Sequence, residues 1–214
     1  MRRPLVLVLA LLAVAVTACG SSSSAQDAGT VAEGRTSRPP WPIEPATVAT
    51  RIEELGLPHP GKETFHLHAL LHVYDDGLLV PVAANIGIDE RRKVEAGLHT
   101  HDATGVIHLE ADKPFRATLG DFFRLWGVRL STTAIGGLEG DVHAYLNGRK
   151  LGDPAAHVLG KDDNIVLALG DPGSFPVRPD PRALLVANGE AKGKSSCRTK
   201  GGETEGDGCS IEQP

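Results

Sequence analysis

The sequence predicts an α+β fold in which one mixed sheet carries a single packed helix. Three features carry that expectation: strict alternation of apolar and polar residues over 65–74, an amphipathic segment over 118–126 with helix signals at both ends, and short apolar runs at 142–146 and 165–169 set off by turn residues. Period two marks strands and period 3.6 marks a helix. Mixing the two in one stretch of about 140 residues fits one domain.

Each element has its own local reason. In 65–74, Phe65, Leu67, Ala69, Leu71 and Val73 fall on one face and His66, His68, Leu70, His72 and Tyr74 on the other, the pattern of a strand with one buried side. Asp75-Asp76-Gly77 supplies a turn, and residues 78–86 are expected to return as a second strand, with Pro81 placing that strand at an edge or bulge. Residues 105–110 read as a third strand, Ile107 and Leu109 facing one way and Val106, His108 and Glu110 the other. Thr118 is a helix cap, with Asp121 three positions on to reach back to it. Leu119, Phe122, Phe123 and Trp126 then form a stripe at i, i+3, i+4 and i+7 that Gly127 ends. Asn147-Gly148 is a strong hairpin turn after the 142–146 strand, and 165–169 closes the domain.

Hairpin, strand, helix, hairpin and strand, in that order, resemble a β-grasp arrangement. The alternative is a β-sandwich with an inserted helix, because the loop over 87–97 is long enough to cross between sheets.

The N-terminus points outside the cytoplasm. Arg2 and Arg3 precede an apolar run of about a dozen residues, too short to span the roughly 30 Å hydrocarbon core and suited to a signal segment. Val16-Thr17-Ala18-Cys19, followed by Gly20 and four serines, resembles the lipobox of bacterial lipoproteins. That resemblance implies cleavage after residue 18, lipid on Cys19 and a membrane partner reached through the acyl chains. Residues 19–45, rich in Ser, Gly, Ala and Pro, read as a flexible tether, 46–186 as the domain and 187–214 as a disordered tail. Loss of Arg2 and Arg3, with no acid removed, lowers the formal charge by two from −5. An acidic domain without a basic stripe argues against binding nucleic acid. In an oxidising compartment Cys197 and Cys209 are expected to pair as a disulfide.

The chemistry lies in the histidines. Seven of the nine fall between positions 59 and 108, and four form the pairs His66/His68 and His99/His101. Alternate residues of a strand point the same way about 7 Å apart, so each pair can converge on one ion. Two pairs on neighbouring strands would offer four nitrogens, with His108 and Asp102 as further ligands or orienting partners. The mature chain has no Met and no Cys in its folded region, so soft donors for Cu(I) are lacking, while imidazole suits zinc or copper(II). His59, His143 and His157 read as ordinary surface or packing residues.

The blocks Leu98-His99-Thr100-His101-Asp102, Gly105-Val106-Ile107-His108, Thr118-Leu119-Gly120-Asp121-Phe122-Phe123, Trp126-Gly127 and Asn147-Gly148 look like a group of uncharacterised exported bacterial and archaeal proteins. The resemblance spans about residues 62–170 and implies one domain, without an activity. Three functions follow from the residues: a metal-binding lipoprotein, an adaptor that binds a partner through a sheet edge, and a zinc-dependent enzyme with Asp102 or Glu110 as general base. No zinc-protease helix motif or nucleophile elbow supports the last.

Overall fold

A computed structural model describes residues 30–189 and the paired segments Thr199–Lys200 and Glu203–Thr204. The expected signal segment, Cys19, and the cysteines at 197 and 209 lie outside the described residues. Among the described residues no helix is long and apolar enough to cross a membrane.

In chain order the elements are α1 (Val48–Leu55), β1 (Phe65–Asp75), β2 (Leu78–Val80), β3 (Ile88–Asp89), β4 (Val94–Glu95), β5 (Leu98–His99), β6 (Val106–Ala111), α2 (Leu119–Trp126), β7 (Leu130–Ser131), β8 (Ala134–Ile135), β9 (Leu138–Glu139), β10 (His143–Leu146), β11 (Arg149–Leu151), β12 (Asp163–Leu169) and α3 (Arg182–Ala187). The main sheet runs β11-β10-β12-β1-β6-β5, with β2 beside β1. Its centre is a parallel pair of the first and last long strands, Ala69 to Asp75 of β1 against Asp163 to Leu169 of β12, and antiparallel strands flank it on both sides. A central parallel pair with hairpin-type neighbours and an intervening helix is the β-grasp arrangement. One main sheet replaces the β-sandwich alternative.

The helix forms where its caps require. Asp121 N donates to Thr118 Oγ1 at 3.0 Å and Thr118 N donates to Asp121 Oδ2 at 2.8 Å, a reciprocal cap, and Gly127 ends the helix in the left-handed conformation. Leu119, Phe122, Phe123 and Trp126 are fully buried and share one core with Ala69, Leu71, Val73, Ile107 and Leu109 from the same side of the sheet.

Four expectations need correction. The segment 30–45, read as tether, packs against the domain from residue 30 onward. Ala32 and Leu130 exchange backbone hydrogen bonds of 2.8 and 2.9 Å, and Trp41 is buried edge-on to Trp126 with ring centroids 5.7 Å apart. The prolines around Trp41 forbid a helix but do not prevent burial of an indole, and Trp126 Nε1 donates to Trp41 O at 2.8 Å. Helix α1 follows, unexpected from its short stripe of Val48 and Ile52. The return strand expected over 78–86 stops at Val80, where Pro81 ends the ladder, and 84–87 form a turn. At the far end the packed unit passes 186, because Ala187 packs with Leu184 against Leu70 and Val106, and Asn188 contacts His68. Both faces of β1 are therefore covered in part, rather than one face being solvated.

Candidate metal centre

Register across three strands assembles the site. His68 of β1 and His99 of β5 both lie opposite His108 of β6, and His66 lies opposite Glu110. Because facing residues of antiparallel strands project to the same side, His68, His108 and His99 form one row, and His66 and Glu110 start a second. His101 follows two residues after His99, just beyond β5. The cluster occupies the face opposite α2.

The two His-x-His pairs are built alike. In each, one ring is buried (His68, His99) and the other is exposed (His66, His101). The Nε2 atoms are 3.0 Å apart in the first pair and 3.2 Å in the second. Two ligands on one tetrahedral zinc, each about 2.0–2.1 Å from the ion, lie roughly 3.3 Å apart, so both pairs already have the spacing of ligands sharing an ion.

The buried rings are oriented from behind. His99 Nδ1 lies 2.9 Å from Ala96 O, which fixes the proton on Nδ1 and leaves the Nε2 lone pair facing His101. His68 Nδ1 lies 2.8 Å from Asn188 Oδ1, and Asn188 Nδ2 donates to Asp162 Oδ1 at 2.7 Å. Asp162 accepts only, so the amide oxygen of Asn188 must face His68, and His68 too presents an Nε2 lone pair. Ring-nitrogen hydrogen bonds of this kind are the usual support for metal-binding histidines.

Glu110 is the hub. It is buried, and its Oε1 lies 2.8 Å from His66 Nε2 and 2.9 Å from His108 Nδ1, while its Oε2 lies 3.8 Å from His99 Nε2. Burial alone pushes its carboxyl up, but the hydrogen bond from His108 and the attraction of His99, His108 and His66 in their protonated forms outweigh it and hold the group at about 2. Burial, reinforced by the charge of His108, lowers His99 to about 3 and also lowers His101; burial lowers His68 as well. An ionised Glu110 beside neutral imidazoles at His68, His99 and His101 is the protonation state that a metal site needs.

Two groups of ligand atoms result, each with all members within 4.8 Å of one another: His66, His68, His108 and Glu110, and His99, His101, His108 and Glu110. These groups could hold a metal ion. Five expected ligands are brought together, but the pairs are not on neighbouring strands, since β6 lies between β1 and β5. Asp102 does not join them. Its Oδ1 accepts from Thr104 N at 2.9 Å and from Thr104 Oγ1, closing the turn after His101. Glu110, considered in the sequence only as a general base, is the acid at the centre, and its place two residues after His108 on the same strand face was the signal. Glu95 was missed altogether; its Oε1 lies 3.4 Å from His99 Nε2. His59 contacts Glu95 O, His143 stacks on Phe175 and His157 pairs with Asp163 at 2.8 Å, so these three serve packing.

Fold and site together define an α+β domain with a histidine–glutamate cluster suited to a metal ion. In comparison with known proteins, no family model, no curated protein and no solved structure matches the chain.

Proposed function

We propose that this protein binds a transition metal, zinc or copper(II), at the outer face of a cell membrane, to which lipid on Cys19 anchors it. The metal reading rests on one observation: two His-x-His pairs have Nε2 atoms at ligand spacing, and the buried ring of each pair is locked from behind with its lone pair turned inward. Nitrogen and carboxylate donors without sulfur favour borderline ions over Cu(I). The exposed members, His66 and His101, give an ion a way in and out, which suits uptake, buffering or delivery. Anchoring is supported by the charged start, the apolar run and the lipobox-like sequence ending at Cys19.

Elemental analysis of untagged protein, joined to titration of the metal-free form with Zn(II) and Cu(II), tests the metal reading. Binding to the folded state alone should stabilise it by about 2.7 kcal/mol at a free ion concentration of 100 Kd. For a domain of this size that raises Tm by roughly 5–10 °C. A protein that retains no ion and shows no shift in Tm with either metal refutes the reading.

A further inference from the structure

The two ligand groups share His108 and Glu110, and the His-x-His pairs approach that shared acid from opposite sides. Strand β6 separates β1 from β5, and a spacing of about 4.8 Å per strand puts the two His-x-His pairs on backbones roughly 9.6 Å apart. The middle of that gap is filled by His108 and Glu110, both projecting from β6. One oxygen of Glu110 faces the β1 pair, with Oε1 2.8 Å from His66 Nε2, and the other faces the β5 pair, with Oε2 3.8 Å from His99 Nε2. A carboxylate whose two oxygens serve two separate ligand sets is the arrangement that bridges two ions.

We infer that the cluster holds two transition-metal ions bridged by the carboxylate of Glu110. This rests on the metal-binding reading above and fixes its stoichiometry. The first ion takes His66, His68 and Glu110 Oε1, with His108 as its fourth ligand through its other ring nitrogen, since His108 Nδ1 donates to that same oxygen at 2.9 Å and His108 belongs to the same group of ligand atoms. The second takes His99, His101 and Glu110 Oε2, with Glu95 completing it, since Glu95 Oε1 lies 3.4 Å from His99 Nε2. Each ion then has four protein donors. Carboxylate-bridged pairs sit about 3.5–4 Å apart, a separation that β6 alone can span. The repeated construction supports the same conclusion: each half-site has one buried ring held through Nδ1 and one exposed ring closing the outside.

The test is titration of the metal-free, untagged full chain with Cu(II), followed by copper analysis and electron paramagnetic resonance. Two equivalents per chain are expected, together with the half-field transition produced by two Cu(II) ions about 4 Å apart. His66→Ala and His101→Ala change exposed residues, so folding should survive. Each should reduce the uptake to one equivalent and remove the half-field line, leaving an ordinary isolated Cu(II) signal. One equivalent in the unaltered chain, weakened by both substitutions, overturns the two-ion centre and leaves a single shared ion. Two equivalents that both appear as full-intensity signals of isolated Cu(II) overturn the bridge. No tight binding at all overturns the metal reading itself.

Discussion

Asn188 offers a test of how the site is held, because it contacts a candidate ligand and belongs to none of the ligand sets. Replacing it with Ala removes the 2.8 Å contact to His68 Nδ1 and the 2.7 Å hydrogen bond to Asp162. His68 is buried and, among the described residues, has no other hydrogen-bond partner for Nδ1, so its proton can move to Nε2, the atom that faces His66. Loss of such a partner typically weakens metal binding 10–100-fold, equivalent to about 1.4–2.8 kcal/mol. Losing the hydrogen bond should lower the stability of the metal-free protein by only about 1 kcal/mol. Affinity can be read by competition with a chromophoric chelator at neutral pH, and the tautomer from the 15N shifts of the His68 ring. The exchange Asn188→Asp with Asp162→Asn keeps an acceptor on His68 and a donor to that acceptor, and Asn tolerates the left-handed backbone of Asp162. This double variant should recover most of the affinity. An Asn188→Ala protein with unchanged affinity, or an exchange variant as weak as the single one, refutes the positioning role.

Three further outcomes are expected. Cys19→Ser should abolish metabolic labelling with fatty acid and release the protein or leave it unprocessed, and label persisting on the variant counts against anchoring. Phe122→Ala or Phe123→Ala should cost about 3–5 kcal/mol by chemical denaturation, since both rings are fully buried in the main core; less than about 1 kcal/mol at both would show that the stripe is not core. Burial lowers His72 to about 4, with Asp180 pulling weakly the other way, and its Nε2 has no partner among the described residues. Its folded value lies below its unfolded 6.5, so the unfolded chain takes the proton first and stability falls as pH drops from 6.5 towards 4, by at most about 3 kcal/mol. His72→Leu should flatten that decline, and an unchanged slope refutes the assignment.

The sequence made local features legible and left pairings hidden. Alternation over 65–74 located β1 because its core face is wholly apolar, and Thr118 with Asp121 located α2 because the cap is made within four residues. Nothing local says that β1 runs parallel to β12, since that pairing joins distant segments. The imidazole-rich face of β1 looked solvated because its cover comes from elsewhere: Leu184 on Leu70, and Phe175 against Tyr74. At the site, His66, His68, His99 and His101 were visible as pairs, whereas β6 standing between them depends on sheet order. Asp102 misled because a carboxylate next to a histidine looks like a ligand even when it closes a turn. Glu110 became the hub only through its register opposite His66.

The parallel ladder between β1 and β12 also decides when the centre can come into being. Every candidate ligand lies before residue 111, yet β1 is held in the sheet interior only after β12, from the far end of the domain, has taken its place beside it. Closing so long a loop is slow relative to forming the local β5–β6 ladder. Asn188, which orients His68, is later still in the chain. A partly made chain therefore presents its imidazoles as loose pairs of ordinary affinity. Only the finished molecule offers them as one organised centre, so on the proposed metal-binding reading selective loading belongs to the last stage of folding.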